Sequence, residues 1–161
     1  MSKTGDEGHM LKVGDKAPDF TVQTDAGAIK LSKLKGKPVV VYFYPKDDTP
    51  GCTTEAKDFS CLGDAFKAAG VEVIGISPDS VASKAKFRKK HDLTIALGAD
   101  EDHAIATAYG VWVEKSMYGK TYMGVERATY LIDGKGKIAR IWRKVKVPGH
   151  AEEVLAAAKA A

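Results

Sequence analysis

The run Val39-Val40-Val41-Tyr42-Phe43 constrains the fold of this chain more than any other stretch. Its residues are β-branched or aromatic and do not alternate with polar ones, so a strand made of them has no face to give to water. Such a strand belongs at the centre of a sheet covered on both sides. Val71-Glu72-Val73-Ile74-Gly75-Ile76-Ser77 reads the same way, and helical spacing follows each run, from about Pro50 to Ala69 and from Ser80 to His91. A short strand, Thr94–Leu97, and a short helix, Glu101–Tyr109, come next. Arg127–Ile132 and Lys137–Trp142 then flank Asp133-Gly134-Lys135-Gly136, a strong hairpin signal, and Ala151–Ala161 closes the chain as a helix. Ahead of the first buried run, Leu11–Leu34 is irregular. It holds two extended candidates, Phe20-Thr21-Val22 and Ala28–Leu31, on either side of the turn Asp25-Ala26-Gly27.

This order predicts an α/β architecture: a central mixed sheet, parallel first and antiparallel in the hairpin, with helices on both faces. It matches a thioredoxin-like fold with an N-terminal extension, an architecture that by itself decides no function. The length of 161 residues suits one domain, from 11 to 161. Met1–Met10 is polar and ends in Gly-His-Met, the pattern of a cloning remnant, and is expected to be disordered.

Two cysteines in a chain of this size argue for a reducing compartment, hence a cytoplasmic protein, and against a disulfide-stapled scaffold. No run approaches the length of a membrane span, and the start lacks the apolar core of a signal peptide. The net charge of +4 is scattered. Its densest group, Lys84-Ala85-Lys86-Phe87-Arg88-Lys89-Lys90, reads as the solvated face of a helix with Phe87 turned inward, not as a nucleic-acid surface. His91, His103 and His150 are too widely spaced to suggest a metal site, and no cofactor motif stands out. Asp100-Glu101-Asp102 reads as an acidic helix start.

The chemistry lies between the first strand and its helix, in Tyr44-Pro45-Lys46-Asp47-Asp48-Thr49-Pro50-Gly51-Cys52-Thr53-Thr54-Glu55. Pro50 suits the first helical position, and Thr49 suits an N-cap whose hydroxyl accepts from first-turn N–H groups. Cys52 then falls inside the first turn, where unpaired N–H groups and the helix dipole favour a thiolate over a thiol. Gly51 leaves room beside the sulfur for a small substrate. Glu55 is either a first-turn acid favourable to the dipole or part of the site.

Pro45-x-x-x-Thr49-x-x-Cys52 matches the peroxiredoxin signature, and Thr49-Pro50-Gly51-Cys52-Thr53-Thr54-Glu55 is similar to the bacterioferritin comigratory protein branch, also called peroxiredoxin Q. Gly14–Phe20, Gly75–Ser80, Lys115–Lys120, Glu126–Ile132 and Trp142–Val145 resemble that branch too, so essentially everything after Met10 is covered. The resemblance implies a thioredoxin-dependent type of peroxidase that reduces hydrogen peroxide and organic hydroperoxides through a sulfenic acid at Cys52. It assigns Arg127 as cation and donor to sulfur and peroxide, Thr49 as a hydrogen-bond partner of the peroxide, and Pro45 as the cover that limits water. Glu55 takes the position that orients the arginine. It also makes a monomer the expected state.

The chain departs from the branch in its second cysteine. Many members carry one five residues after the first, where this chain has Lys57, or in the following helix, where it has Lys86-Phe87-Arg88-Lys89. Cys61 lies nine positions along the same helix, about 13 Å up the axis and on the opposite side. A disulfide needs Cα atoms within about 7 Å, so bonding to Cys52 demands local unwinding. Ala56, Phe59, Leu62, Phe66 and Ala69 define the packed face, with Cys61 nearly opposite. Cys61 is therefore an exposed passenger, a resolving residue after unwinding, or a partner in an intermolecular disulfide. A one-cysteine cycle is expected, with thioredoxin, glutaredoxin or glutathione as the external thiol. Two other classes compete. A dithiol oxidoreductase is disfavoured by the lack of Cys-x-x-Cys, and a peroxide sensor or redox-regulated binding module would not need Pro45, Thr49, Cys52 and Arg127 together.

Overall fold

The structure is a computed structural model and describes residues 11–161; Met1–Met10, read above as a cloning remnant, lies outside the described residues. A short hairpin comes first, β1 (Thr21–Thr24) and β2 (Gly27–Lys30), followed by a 3-10 turn at Leu31–Leu34. Next come β3 (Val39–Phe43), α1 (Pro50–Cys61), α2 (Gly63–Ala68), β4 (Glu72–Ser77), α3 (Val81–His91), β5 (Ala96–Ala99) and α4 (Ala104–Ala108). A hairpin of β6 (Trp112–Met117) and β7 (Lys120–Val125), a second of β8 (Ala128–Ile132) and β9 (Ile138–Arg143), and α5 (His150–Lys159) complete the chain.

Seven strands form one sheet in the order β9-β8-β3-β4-β5-β1-β2, and it is mixed, as the element order predicts. The parallel part is β3-β4-β5, and β8 joins the other side of β3 antiparallel. All five residues of β3 are buried, because the two faces of the strand enter two cores. Val39, Val41 and Phe43 pack with Phe20, Leu31 and, from α4, Ile105 and Ala106. Val40 and Tyr42 pack with Ala56 and Phe59 of α1, Phe66 of α2, Phe87 of α3 and Val154 of α5. Burial of each such side chain contributes about 1.5–3 kcal/mol, which is why an unalternating run fits only here.

Several sequence expectations need correction. The helix expected from Pro50 to Ala69 breaks at Leu62, whose backbone stands at φ −92°, ψ 6°. Gly63, a weak helix former, follows; a Cβ there would sit 3.1 Å from Thr94 Oγ1. Phe66 still reaches the core, but Leu62 is only partly buried and Ala69 is exposed. The strand near Thr94 begins at Ala96, and α4 begins at Ala104, where Asp100 accepts from Ile105 N and Ala106 N at 3.1 and 2.9 Å. The hairpin β6–β7 was not anticipated. It pairs outside the main sheet and closes on Tyr118 and Gly119, both at positive φ, as a two-residue hairpin turn requires. Lastly, Lys84 is not on a solvated face. It is fully buried beside the loop that leads to α1, while Phe87 does turn inward as predicted.

Candidate active site

Sheet register puts the site together. Phe43, the last residue of β3, pairs with Ala128, the first of β8. Arg127 therefore stands just outside the sheet at the end of β3, where the chain leaves for α1. Thr49 is the N-cap at φ −97°, ψ 156°, and Pro50 opens the helix. Thr53 N donates to Thr49 O at 2.8 Å, the first helical hydrogen bond, so Cys52 lies within the first turn as its position after Pro50 predicts.

Cys52 is 2% exposed and unbonded to any other cysteine. Arg127 Nη2 donates to its sulfur at 3.2 Å, and Arg127 Nη1 donates to Glu55 Oε1 at 2.6 Å. Glu55, one turn after Cys52, is 1% exposed, so the guanidinium is fixed from one side by a buried carboxylate and offers its other edge to the thiol. Burial pushes the Glu55 carboxyl up to about 7, against the pull of Arg127. Arg127 is raised: its own burial opposes the charge, but Glu55 and Cys52 together outweigh that. A Cβ on Gly51 would lie 3.4 Å from Arg127 Nη2, so the glycine keeps the space beside the guanidinium open.

Thr49 caps the helix by backbone geometry alone. Its hydroxyl donates to Lys46 O at 3.0 Å and takes no hydrogen bond from the first turn, contrary to expectation. The hydroxyl's lone pairs and the half-buried ring of Pro45 belong to the same loop that delivers Cys52. Cys61 is exposed at the last position of α1 and is not gathered into the site.

The sequence missed a buried polar cluster behind this loop. Asp47, Tyr44, Ser77, Ser83 and Lys84 are joined by hydrogen bonds, and Lys84 Nζ lies 2.9 Å from Asp47 Oδ1. Burial lowers the Lys84 ammonium from its ordinary value, and Asp47 works against that shift. One signal was available: Lys84 stands three residues before Phe87, on the same side of a helix. Next to it, Asp48 accepts from Lys90 Nζ at 2.8 Å and lies 2.8 Å from His91 Nε2. Among the described residues no three His, Cys, Asp or Glu side chains are grouped to hold a metal ion, and no helix is long and apolar enough to cross a membrane.

Comparison with known proteins bears on this arrangement. Residues 13–141 match the model of the AhpC/TSA family. Peroxiredoxin Bcp of Bacillus subtilis (strain 168) is 49% identical over 146 residues, covering 90% of this chain and 93% of the relative. Peroxiredoxin Bcp of Escherichia coli (strain K12) is 43% identical, covering 90% and 94%. Among solved structures, the Xanthomonas campestris bacterioferritin comigratory protein, studied for its alkyl peroxide reduction, superposes with a TM-score of 0.83 at 44% identity, over 88% of this chain and 90% of that one. A cysteine-to-serine variant of Xylella fastidiosa PrxQ reaches 0.89 at 39% identity, over 95% and 98%. With its mixed sheet, its cysteine at a helix start and matches that run nearly end to end, the chain belongs to the AhpC/TSA family and, within it, to the thioredoxin-like thiol-dependent peroxidases called Bcp or peroxiredoxin Q.

Proposed function

We propose that Cys52 carries the peroxidase chemistry and that Arg127, Thr49 and Pro45 serve it, with Glu55 holding the arginine. The observation that carries this reading is the hydrogen bond from Arg127 Nη2 to Cys52 Sγ. The thiolate attacks one peroxide oxygen in line. An S–O bond forms, the O–O bond breaks, and the departing alkoxide or hydroxide takes a proton, leaving Cys52 as sulfenic acid. Negative charge moves from sulfur to the leaving oxygen, so a guanidinium already fixed by Glu55 stabilises it without reorganising. Thr49 offers a hydroxyl to the peroxide, and Pro45 limits water around the sulfur.

The substrates are hydrogen peroxide and organic hydroperoxides; the Xanthomonas campestris relative is itself studied for alkyl peroxide reduction. An external thiol completes the cycle. It condenses with the sulfenic acid to give a mixed disulfide and water, and a second thiol releases Cys52 by exchange. Cys61 is a poor internal substitute, because it is exposed about 13 Å along α1 from the buried Cys52. Thioredoxin, glutaredoxin and glutathione are the candidate donors, and the protein works as a monomer in the reducing cytoplasm. No nucleic acid, membrane or metal takes part.

The test is a non-reducing intact mass after one equivalent of hydrogen peroxide, with both cysteines mapped. One added oxygen at Cys52 with Cys61 free supports the external-thiol cycle. A Cys52–Cys61 link would make Cys61 the resolving residue and require α1 to unwind. Rapid turnover that survives Cys52→Ser would remove Cys52 from its role.

A further inference from the structure

Asp47 lies at the midpoint of the Pro45–Thr49 loop and turns inward, 7% exposed. Its carboxylate accepts from Tyr44 Oη at 2.6 Å, Ser83 Oγ at 2.7 Å and Lys84 Nζ at 2.9 Å. Its own N–H donates to Asp79 Oδ2 at 2.7 Å. Lys84 directs its ammonium hydrogens to Asp47, to Tyr44 Oη at 2.8 Å and to Ser77 Oγ, and Ser77 Oγ donates onward to Asp79 Oδ2 at 2.7 Å. The loop is thus held by side chain and main chain together, from the end of β4 and the first turn of α3.

Stability alone gives little reason for this arrangement. A buried ion pair often stabilises no more than apolar residues of the same volume. What a directed pair adds is geometry. With each ammonium hydrogen assigned, the orientation of Asp47 is fixed, and so are the residues on either side. Pro45 is two residues before Asp47 and Thr49 two after. The neighbouring contacts of Asp48 with Lys90 and His91 come from the same helix but lie at the exposed surface, where ion pairs hold weakly.

We infer that Lys84 is a positioning residue for peroxide reduction, acting through Asp47 to hold the Pro45–Thr49 loop where Thr49 and the start of α1 meet the peroxide. The inference rests on Cys52 as the attacking thiolate. Lys84 itself touches neither thiol nor peroxide. Its effect is on alignment, and a displacement of about 1 Å in such a site costs on the order of 10²-fold in rate.

The test compares the second-order rate constants of Cys52 with hydrogen peroxide and with iodoacetamide, by rapid quench and mass mapping, in wild type, Lys84→Met and Ser83→Ala. Rates are taken well below the unfolding temperature of each protein, so that only folded molecules count. Lys84→Met should slow the peroxide reaction at least about tenfold and change alkylation less than about threefold, because attack on carbon needs the thiolate but not the hydroxyl that Thr49 offers to the peroxide. Ser83→Ala, which removes one hydrogen bond to Asp47, should slow the peroxide reaction about threefold. Equal slowing of both reactions, or an unchanged peroxide rate in folded Lys84→Met, would overturn the inference. If Lys84→Met does not fold, Ser83→Ala decides, and an unchanged peroxide rate there overturns it. A wild-type Cys52 that does not react rapidly with peroxide would remove the underlying reading and this inference with it. A reactive wild type with indifferent variants would remove only the role of Lys84.

Discussion

Arg127 and Cys52 are 75 residues apart in the chain, yet Arg127 Nη2 reaches Cys52 Sγ across 3.2 Å. The pairing of Phe43 with Ala128 makes that possible, since it brings the chain just before β8 alongside the exit of β3. The arginine is held in turn by Glu55, three residues beyond Cys52 on the same helix. One turn of α1 therefore supplies both the thiol and the group that aims the guanidinium at it.

Arg127→Lys tests the fork of that guanidinium. Lysine keeps the charge but cannot donate to Glu55 and Cys52 through two rigid N–H edges. The rate of Cys52 oxidation by hydrogen peroxide should fall about 10²-fold, as for loss of one preorganised donor. Stopped-flow or quenched-flow kinetics measure it directly, and a wild-type rate would take Arg127 out of the mechanism.

Glu55 should make stability depend on pH. Its carboxyl moves from 4.5 to about 7 on folding, chiefly by burial. Between those values the folded protein holds a proton that the unfolded chain has released, so this contribution to stability is greatest below pH 4.5 and is lost as pH rises to 7. The gross effect is on the order of 3 kcal/mol. Urea unfolding at pH 5 and pH 7.5 should show Glu55→Gln gaining on wild type at the higher pH. Parallel curves would refute the shifted carboxyl.

His150 should act in the opposite sense. It is buried, its Nε2 lies 2.8 Å from Thr129 Oγ1, and burial lowers its pKa below 6.5. The unfolded chain takes up a proton first as pH falls, so stability present above pH 6.5 is lost below it. His150→Gln keeps a polar side chain near Thr129 but does not titrate. It should lose less thermal stability than wild type between pH 7 and pH 5.5, as read by circular dichroism melts.

Gly75→Ala probes the packing under the site. An added Cβ would lie 2.6 Å from Tyr42 Cζ, and Tyr42 is fully buried with its ring stacked on Phe59 at 4.6 Å. Neither ring has room to retreat, so the variant should lose about 1–3 kcal/mol in denaturant unfolding. Wild-type stability would mean that β4 can shift away from β3.

The family resemblance singled out Cys52, Thr49, Pro45, Arg127 and Glu55, whereas the charge pattern misread Lys84. A cluster of lysines on a short helix suggests water, and only the acid waiting in a distant loop makes burial of one of them tolerable. The break after Cys61 was hinted at by Gly63 alone. The β6–β7 hairpin escaped notice because its strands, largely exposed on both faces, carry little of the alternation that marks a half-buried strand.

By itself the sequence determined what local forces control. An apolar run had to be a central strand, Thr49-Pro50 had to begin a helix, and Cys52 had to fall in its first turn, because each follows from burial or backbone hydrogen bonding within a few residues. Only tertiary structure decided which charges meet. Arg127 with Cys52 and Glu55, and Lys84 with Asp47, are pairings across 75, 72 and 37 residues. They are set by strand register and helix docking, and a buried charge is stable only where the fold delivers its partner.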